Sequence, residues 1–172
     1  LPNIRFPNYQ FVSFTIQEPF NHPNLIRAVD RLLAAGAKVN IYTGGLGVAD
    51  KQLRGLMAVF HLMNTRTDLF PGRLRVALSF DLFRGDLAIN GGRIELEDYF
   101  RHVVWMLEQP VVRSLMFNYG PGNREESFAA LDRILKMAQN PSAKAIIRKA
   151  INVPSRPSGR GRTAPTALSS AG

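Results

Sequence analysis

The chain has 172 residues, 45% of them apolar and 20% charged, with no cysteine and a formal net charge of +9. This composition excludes a disulfide framework, a thiolate metal centre and a wholly disordered chain. No window approaches the roughly 20 apolar residues needed to cross a bilayer, and the opening "LPNIRFPNYQ" lacks the apolar core of a signal peptide, so an intracellular, cytoplasmic protein without a membrane partner is expected.

In chain order, residues 1–8 read as an extended arm and "YQFVSFTIQ" (9–17), rich in β-branched and aromatic residues, as a strand. After the breakers Pro19 and Pro23, Leu25, Ile26, Val29, Leu32 and Leu33 form one helical stripe, with Asn24 as N-cap and Gly36 as the C-terminal stop. "AKVNIYT" is a second strand, which completes a strand-helix-strand unit. From Val48 to about Asn64, Leu53, Leu56, Met57, Phe60 and Met63 recur at helical spacing, and His61 falls within that stripe as a half-buried residue.

"RLRVALSFDLF" alternates apolar Leu74, Val76, Leu78, Phe80 and Leu82 with Arg73, Arg75, Ala77, Ser79 and Asp81, the pattern of a half-exposed strand. Asn90-Gly91 between Leu87, Ile89 and Ile94, Leu96 is a strong hairpin signal, because both central residues of a type I′ turn need positive φ. These two features predict a central antiparallel meander. "LEDYFRHVVWMLEQ" and "REESFAALDRILKMAQN" read as helices, the second with Glu125 and Glu126 in its first turn and Lys136 in its last. "SAKAIIRKAI" is a final short helix, with Ser142 expected as its cap. The fold class expected is therefore α+β: one domain over 1–152, then an irregular Pro/Ser/Gly/Arg-rich tail over 153–172 that cannot build a core.

Charge is unevenly distributed. Residues 1–132 carry 14 basic side chains against all 13 acids, whereas residues 133–172 carry 8 basic side chains and no acid. Such a segment gains affinity for a polyphosphate by releasing condensed counterions and needs no pocket to do so. The candidate nucleic-acid-binding residues are Lys144, Arg148 and Lys149 on the last helix and Arg156, Arg160 and Arg162 in the tail; Arg suits bidentate phosphate contacts.

Four other features invite a functional reading. Gly44, Gly45 and Gly47 lie between a strand and a helix, the context of a phosphate cradle, but the pattern is neither GxGxxG nor GxxxxGK[ST]. Arg84-Gly85-Asp86 resembles the integrin-recognition tripeptide. Glu95, Glu97 and Asp98 precede His102, and an aspartate four residues before a histidine can orient its ring, yet no activated serine or cysteine accompanies them. The histidines His22, His61 and His102 stand about 40 residues apart, so no metal site and no cofactor are expected. Among the aromatics, Phe6, Tyr9, Tyr99, Trp105 and Tyr119 are candidates to stack on bases.

A nearly neutral body joined to a basic arm resembles the layout of many viral coat and nucleocapsid proteins. That likeness implies a non-enzymatic, self-assembling homo-oligomer that packages RNA, with DNA second, and a virion as its destination. The competing expectation is a small α/β nucleotide-binding protein or enzyme built on the Gly44–Gly47 turn.

Overall fold

The computed structural model describes residues 11–14, 18–44, 50–82, 95–120 and 122–153, with backbone alone for Phe11 and residues 50–55. The expected arm, Gly45, Gly47, the Arg84-Gly85-Asp86 tripeptide, the Asn90-Gly91 hairpin and the tail arginines Arg156, Arg160 and Arg162 lie outside these residues. Among the described residues the order is β1 (Phe11–Phe14), a 3-10 turn (Pro19–Asn21), α1 (Leu25–Ala34), β2 (Lys38–Thr43), α2 (Asp50–Leu69) and β3 (Leu74–Asp81). It continues with α3 (Leu96–Leu107), β4 (Val112–Asn118), α4 (Arg124–Met137) and α5 (Pro141–Asn152).

The four strands form one sheet in the order β1-β2-β3-β4, and every pairing is parallel. The fold is thus α/β, and the expected α+β arrangement with an antiparallel meander is incorrect. The physical reason lies in β3. Parallel strands are normally covered on both faces and read as unbroken apolar runs, whereas β3 alternates, with Leu74, Val76, Leu78 and Phe80 buried and Arg75 exposed. Register extends this alternation across the sheet: Val39 pairs with Leu74, Ile41 with Val76, Leu78 with Leu115 and Phe80 with Phe117. Right-handed crossovers between neighbours taken in sequence place their helices on one face. Accordingly α1 packs on β2, α2 on β3, and α3 on β3 and β4.

The opposite face carries Ser13, Asn40, Tyr42, Ser79, Ser114 and Asn118, with only Ala77 buried beside them. Its polar side chains bond laterally: Asn40 Nδ2 donates to the Tyr42 hydroxyl at 2.8 Å and Asn118 Nδ2 to Ser79 Oγ at 2.9 Å. A parallel sheet with one polar face mimics the period of an antiparallel one, which is why periodicity misled the topology.

Strand β4 was absent from the sequence expectations. The register slips between Val76 and Ala77, which pair with Val112 and Ser114, so Arg113 is an extra residue in β4. That bulge leaves Arg113 and Ser114 both exposed and interrupts the period of two.

The helices match expectation more closely, and α2 runs five residues beyond the predicted Asn64. Gly36 stops α1 as expected: at φ 90° it supports Gly36 N–H donating to Leu33 O at 3.1 Å and Ala37 N–H to Leu32 O at 2.9 Å, the paired bonds of a Schellman cap. Gly72, at φ 71°, follows Pro71 in the turn closed by Arg73 N–H on Phe70 O at 3.1 Å. Asn24 occupies the N-cap of α1 but makes no side-chain cap bond. The cap of α5 is Asn140, not Ser142: Asn140 Oδ1 accepts from Ser142 N–H at 2.8 Å, with Pro141 in the first helical position. His61 is exposed rather than half-buried.

Helices α1 and α2 are clasped by a bidentate pair, with Arg66 Nε on Asp30 Oδ1 at 2.8 Å and Nη2 on Oδ2 at 3.0 Å. The hydrogen bonds and charge of Arg66 hold the Asp30 carboxyl below its ordinary value against the smaller effect of burial. A depressed carboxylate pKa contributes stability above the unfolded value, near pH 4, and loses it as pH falls through the folded value. Because Asp30 remains 44% exposed, Asp30→Asn is expected to cost only about 0.5–1 kcal/mol at pH 7. Urea unfolding at pH 7 and pH 3 checks this: the gap between the two proteins should close at the lower pH.

Candidate nucleic-acid interface

Helix α5 presents its apolar stripe, Ala143, Ile147 and Ala150, to the body and is packed on β4 and α4. The opposite arc carries Lys144, half-buried, with Arg148 and Lys149 exposed. Lys144 and Arg148 share one side of the helix, and Lys149 lies 100° farther round on the same solvent arc. Among the described residues none of the three forms an ion pair, as is also true of Arg27, Arg31, Arg113 and Arg124, whereas Arg66, Arg101, Arg133 and Lys136 are paired.

The contrast divides the basic end of the chain. Arg133 reaches Glu97 Oε2 at 2.5 Å and lies over the Phe100 ring, and Lys136 pairs with Asp132 at 2.6 Å. Those two charges are offset within α3 and α4. Folding therefore leaves three cations without ion pairs together on α5, next to where the described residues end.

It also adds a cation that sequence reasoning missed. Arg113, turned out by the β4 bulge, lines a cleft whose far wall is the first turns of α5. Thirty-one positions separate Arg113 from Lys144, and no local pattern links them. Only the packing of α5 on β4 makes Arg113 part of the same surface.

The glycine turn has a different environment. Gly44 follows β2 at the carboxyl edge of the sheet, where open parallel sheets bind ligands. Its N–H, however, donates to Glu18 Oε2 at 2.9 Å, and the Thr43 hydroxyl donates to Glu18 Oε1. An internal carboxylate thus takes the donor that an external phosphate would use. An anion about 4 Å from that carboxylate meets a repulsion of roughly 4 kcal/mol at an effective dielectric constant of 20.

The acid cluster at the start of α3 is occupied by charge pairing. Asp98 accepts from Arg101 Nη1 at 2.9 Å, and Glu97 is shared between Arg101 and Arg133. His102 stacks on Trp105 with ring centres 6.0 Å apart. This arrangement complements the helix dipole with acids in the first turn. His22 Nδ1 accepts from Asn24 N–H, and no group of histidines and carboxylates capable of holding a metal occurs among the described residues.

Of the aromatics proposed to stack on bases, Tyr99 is buried in the core against Phe80, Trp105 packs on Phe60, and Tyr119 packs on Phe117 and Phe128. Phe6 and Tyr9 lie outside the described residues. No helix among the described residues is long and apolar enough to cross a membrane.

In class, then, this is a parallel α/β body with a cationic helix on one flank. No family model, curated protein or solved structure matches the chain.

Proposed function

We propose that this chain is a non-enzymatic nucleic-acid-binding protein that takes RNA through α5 and the arginine-bearing tail, and that copies assemble along the bound strand. The observation that carries the reading is the grouping of Lys144, Arg148 and Lys149, none in an ion pair, on a helix whose first turns face Arg113 across a cleft. An unpaired cation can neutralise a phosphate and release the counterion condensed on the nucleic acid, whereas a paired one must first give up its carboxylate partner. Two further features favour self-assembly. The outer edge of β1 has no strand beside it among the described residues, and residues 1–132, with 14 basic side chains against 13 acids, let copies meet away from α5 without strong repulsion. The nucleotide-binding alternative is weakened by Glu18, which occupies the Gly44 amide.

Truncation after Val153 removes Arg156, Arg160 and Arg162 and leaves the described body intact. RNA affinity should fall, and the slope of log K against log salt should decrease by up to about 2 units, at 0.7 per phosphate contact on a single strand. Filter binding at several salt concentrations reads both quantities. An unchanged slope would remove the tail from the interface.

A further inference from the structure

The cleft between β4 and α5 encloses about 420 Å³, within the range of roughly 300–1,000 Å³ usual for small-molecule sites. Its floor is apolar, formed by Leu107, Val112 and Ile146. Its rim holds both donors and acceptors. Asn140 spends its side-chain oxygen on Ser142 N–H, leaving its amide nitrogen to donate, and the Ser142 hydroxyl stands beside it. Glu108 Oε1 accepts from Gln139 N–H at 2.8 Å and Asn140 N–H at 3.1 Å, leaving Oε2 as an acceptor.

A pocket for bare phosphate would present donors alone. An apolar floor with a carboxylate acceptor and amide and hydroxyl donors suits the face and edge of a nucleobase. Cations border the cleft. Arg113 lines the cleft and is exposed, and Lys149 is four residues beyond Ala145 and three beyond Ile146, on the side of α5 that lines the cleft.

We infer that this cleft receives one unstacked base of single-stranded RNA, with Arg113 and Lys149 holding the flanking phosphates and the free Glu108 oxygen accepting an exocyclic amine. The inference rests on the RNA-binding reading and assigns a second role to the same surface: α5 supplies charge, and the cleft supplies base discrimination. A carboxylate set against the 4-position accepts from the cytosine N4 amine but meets an acceptor, O4, on uracil, whose only nearby donor, N3–H, lies one ring position away.

Fluorescence anisotropy with the full chain, using 12-nucleotide oligocytidylate and oligouridylate, tests it. The protein should bind oligocytidylate about 5- to 10-fold more tightly than oligouridylate. Ala145→Trp, at an exposed position lining the cleft, should fill the cleft and abolish that preference while oligouridylate affinity persists. Arg113→Ala should lower the salt slope by about 0.7 unit. Equal affinity for the two oligomers, or an Ala145→Trp protein that still prefers oligocytidylate, overturns the cleft and leaves the α5 reading standing. Failure of the unmodified chain to bind either oligomer overturns both.

Discussion

Phe80→Ala is expected to lower the unfolding free energy by about 3–5 kcal/mol, the largest effect of any single substitution considered. Phe80 is 0% exposed and sits near the carboxyl end of β3. Its ring stacks on Tyr99 at 5.7 Å and on Phe117 at 6.2 Å, with Phe100 at 6.5 Å. Those neighbours belong to α3 and β4, so one side chain ties the third strand, the fourth strand and the crossover helix together. Truncation removes apolar area from the core and leaves a cavity whose walls are rings held by separate elements. Such walls cannot collapse inward without shifting a helix against a sheet. Folded domains are stable by only about 5–15 kcal/mol, so this variant should be close to the threshold of folding. Leu69→Ala, at a residue 68% exposed at the end of α2, is the contrasting case and should stay within about 0.5 kcal/mol. Urea denaturation of the three proteins reads the difference. A loss below about 1 kcal/mol at Phe80 would mean that the β3–α3–β4 junction is not packed as described.

Replacing Lys144, Arg148 and Lys149 together by alanine is expected to reduce the salt slope of RNA binding by about 2 units, or roughly 100-fold in affinity at 0.1 M salt. Alanine favours helix at least as well as the residues it replaces, so α5 and the thermal midpoint should be preserved. The control is the pair Arg133→Ala and Lys136→Ala. These residues lie nearby on α4 and each carries the same unit charge, but Glu97 and Asp132 already offset them. Their removal should leave the slope nearly unchanged. If the two sets weaken binding in proportion to the charge removed, three against two, net charge governs the interaction and the α5 surface has no special part in it.

These two sets of cations look alike in the sequence and differ only in the fold. Eight basic residues and no acid in the last forty positions mark the end of the chain as cationic. Yet the linear count treats Arg133 and Arg148 alike. Glu97, which neutralises Arg133, lies 36 positions away and meets it only because α3 and α4 pack side by side. Arg113 is the converse case, an unremarkable residue in the count that folding brings to the α5 surface. Charge pairing is a property of distance in space, and neither partner announces the other in the chain.

Helix positions, the Gly36 stop of α1 and the split between nearly balanced charge over 1–132 and uniformly basic charge over 133–172 were determined by the sequence itself, because they depend on contacts within a few residues and on composition. Strand direction, the existence of β4 and the grouping of Arg113 with α5 were decided only in the tertiary structure. Periodicity records which side of a strand is buried, and β3 alternates equally well beside parallel or antiparallel neighbours. The direction is chosen by the crossovers through α1, α2 and α3, which return each chain segment to the same edge of the sheet. In β4 the extra residue that turns Arg113 outward also broke the repeat by which the strand would have been found.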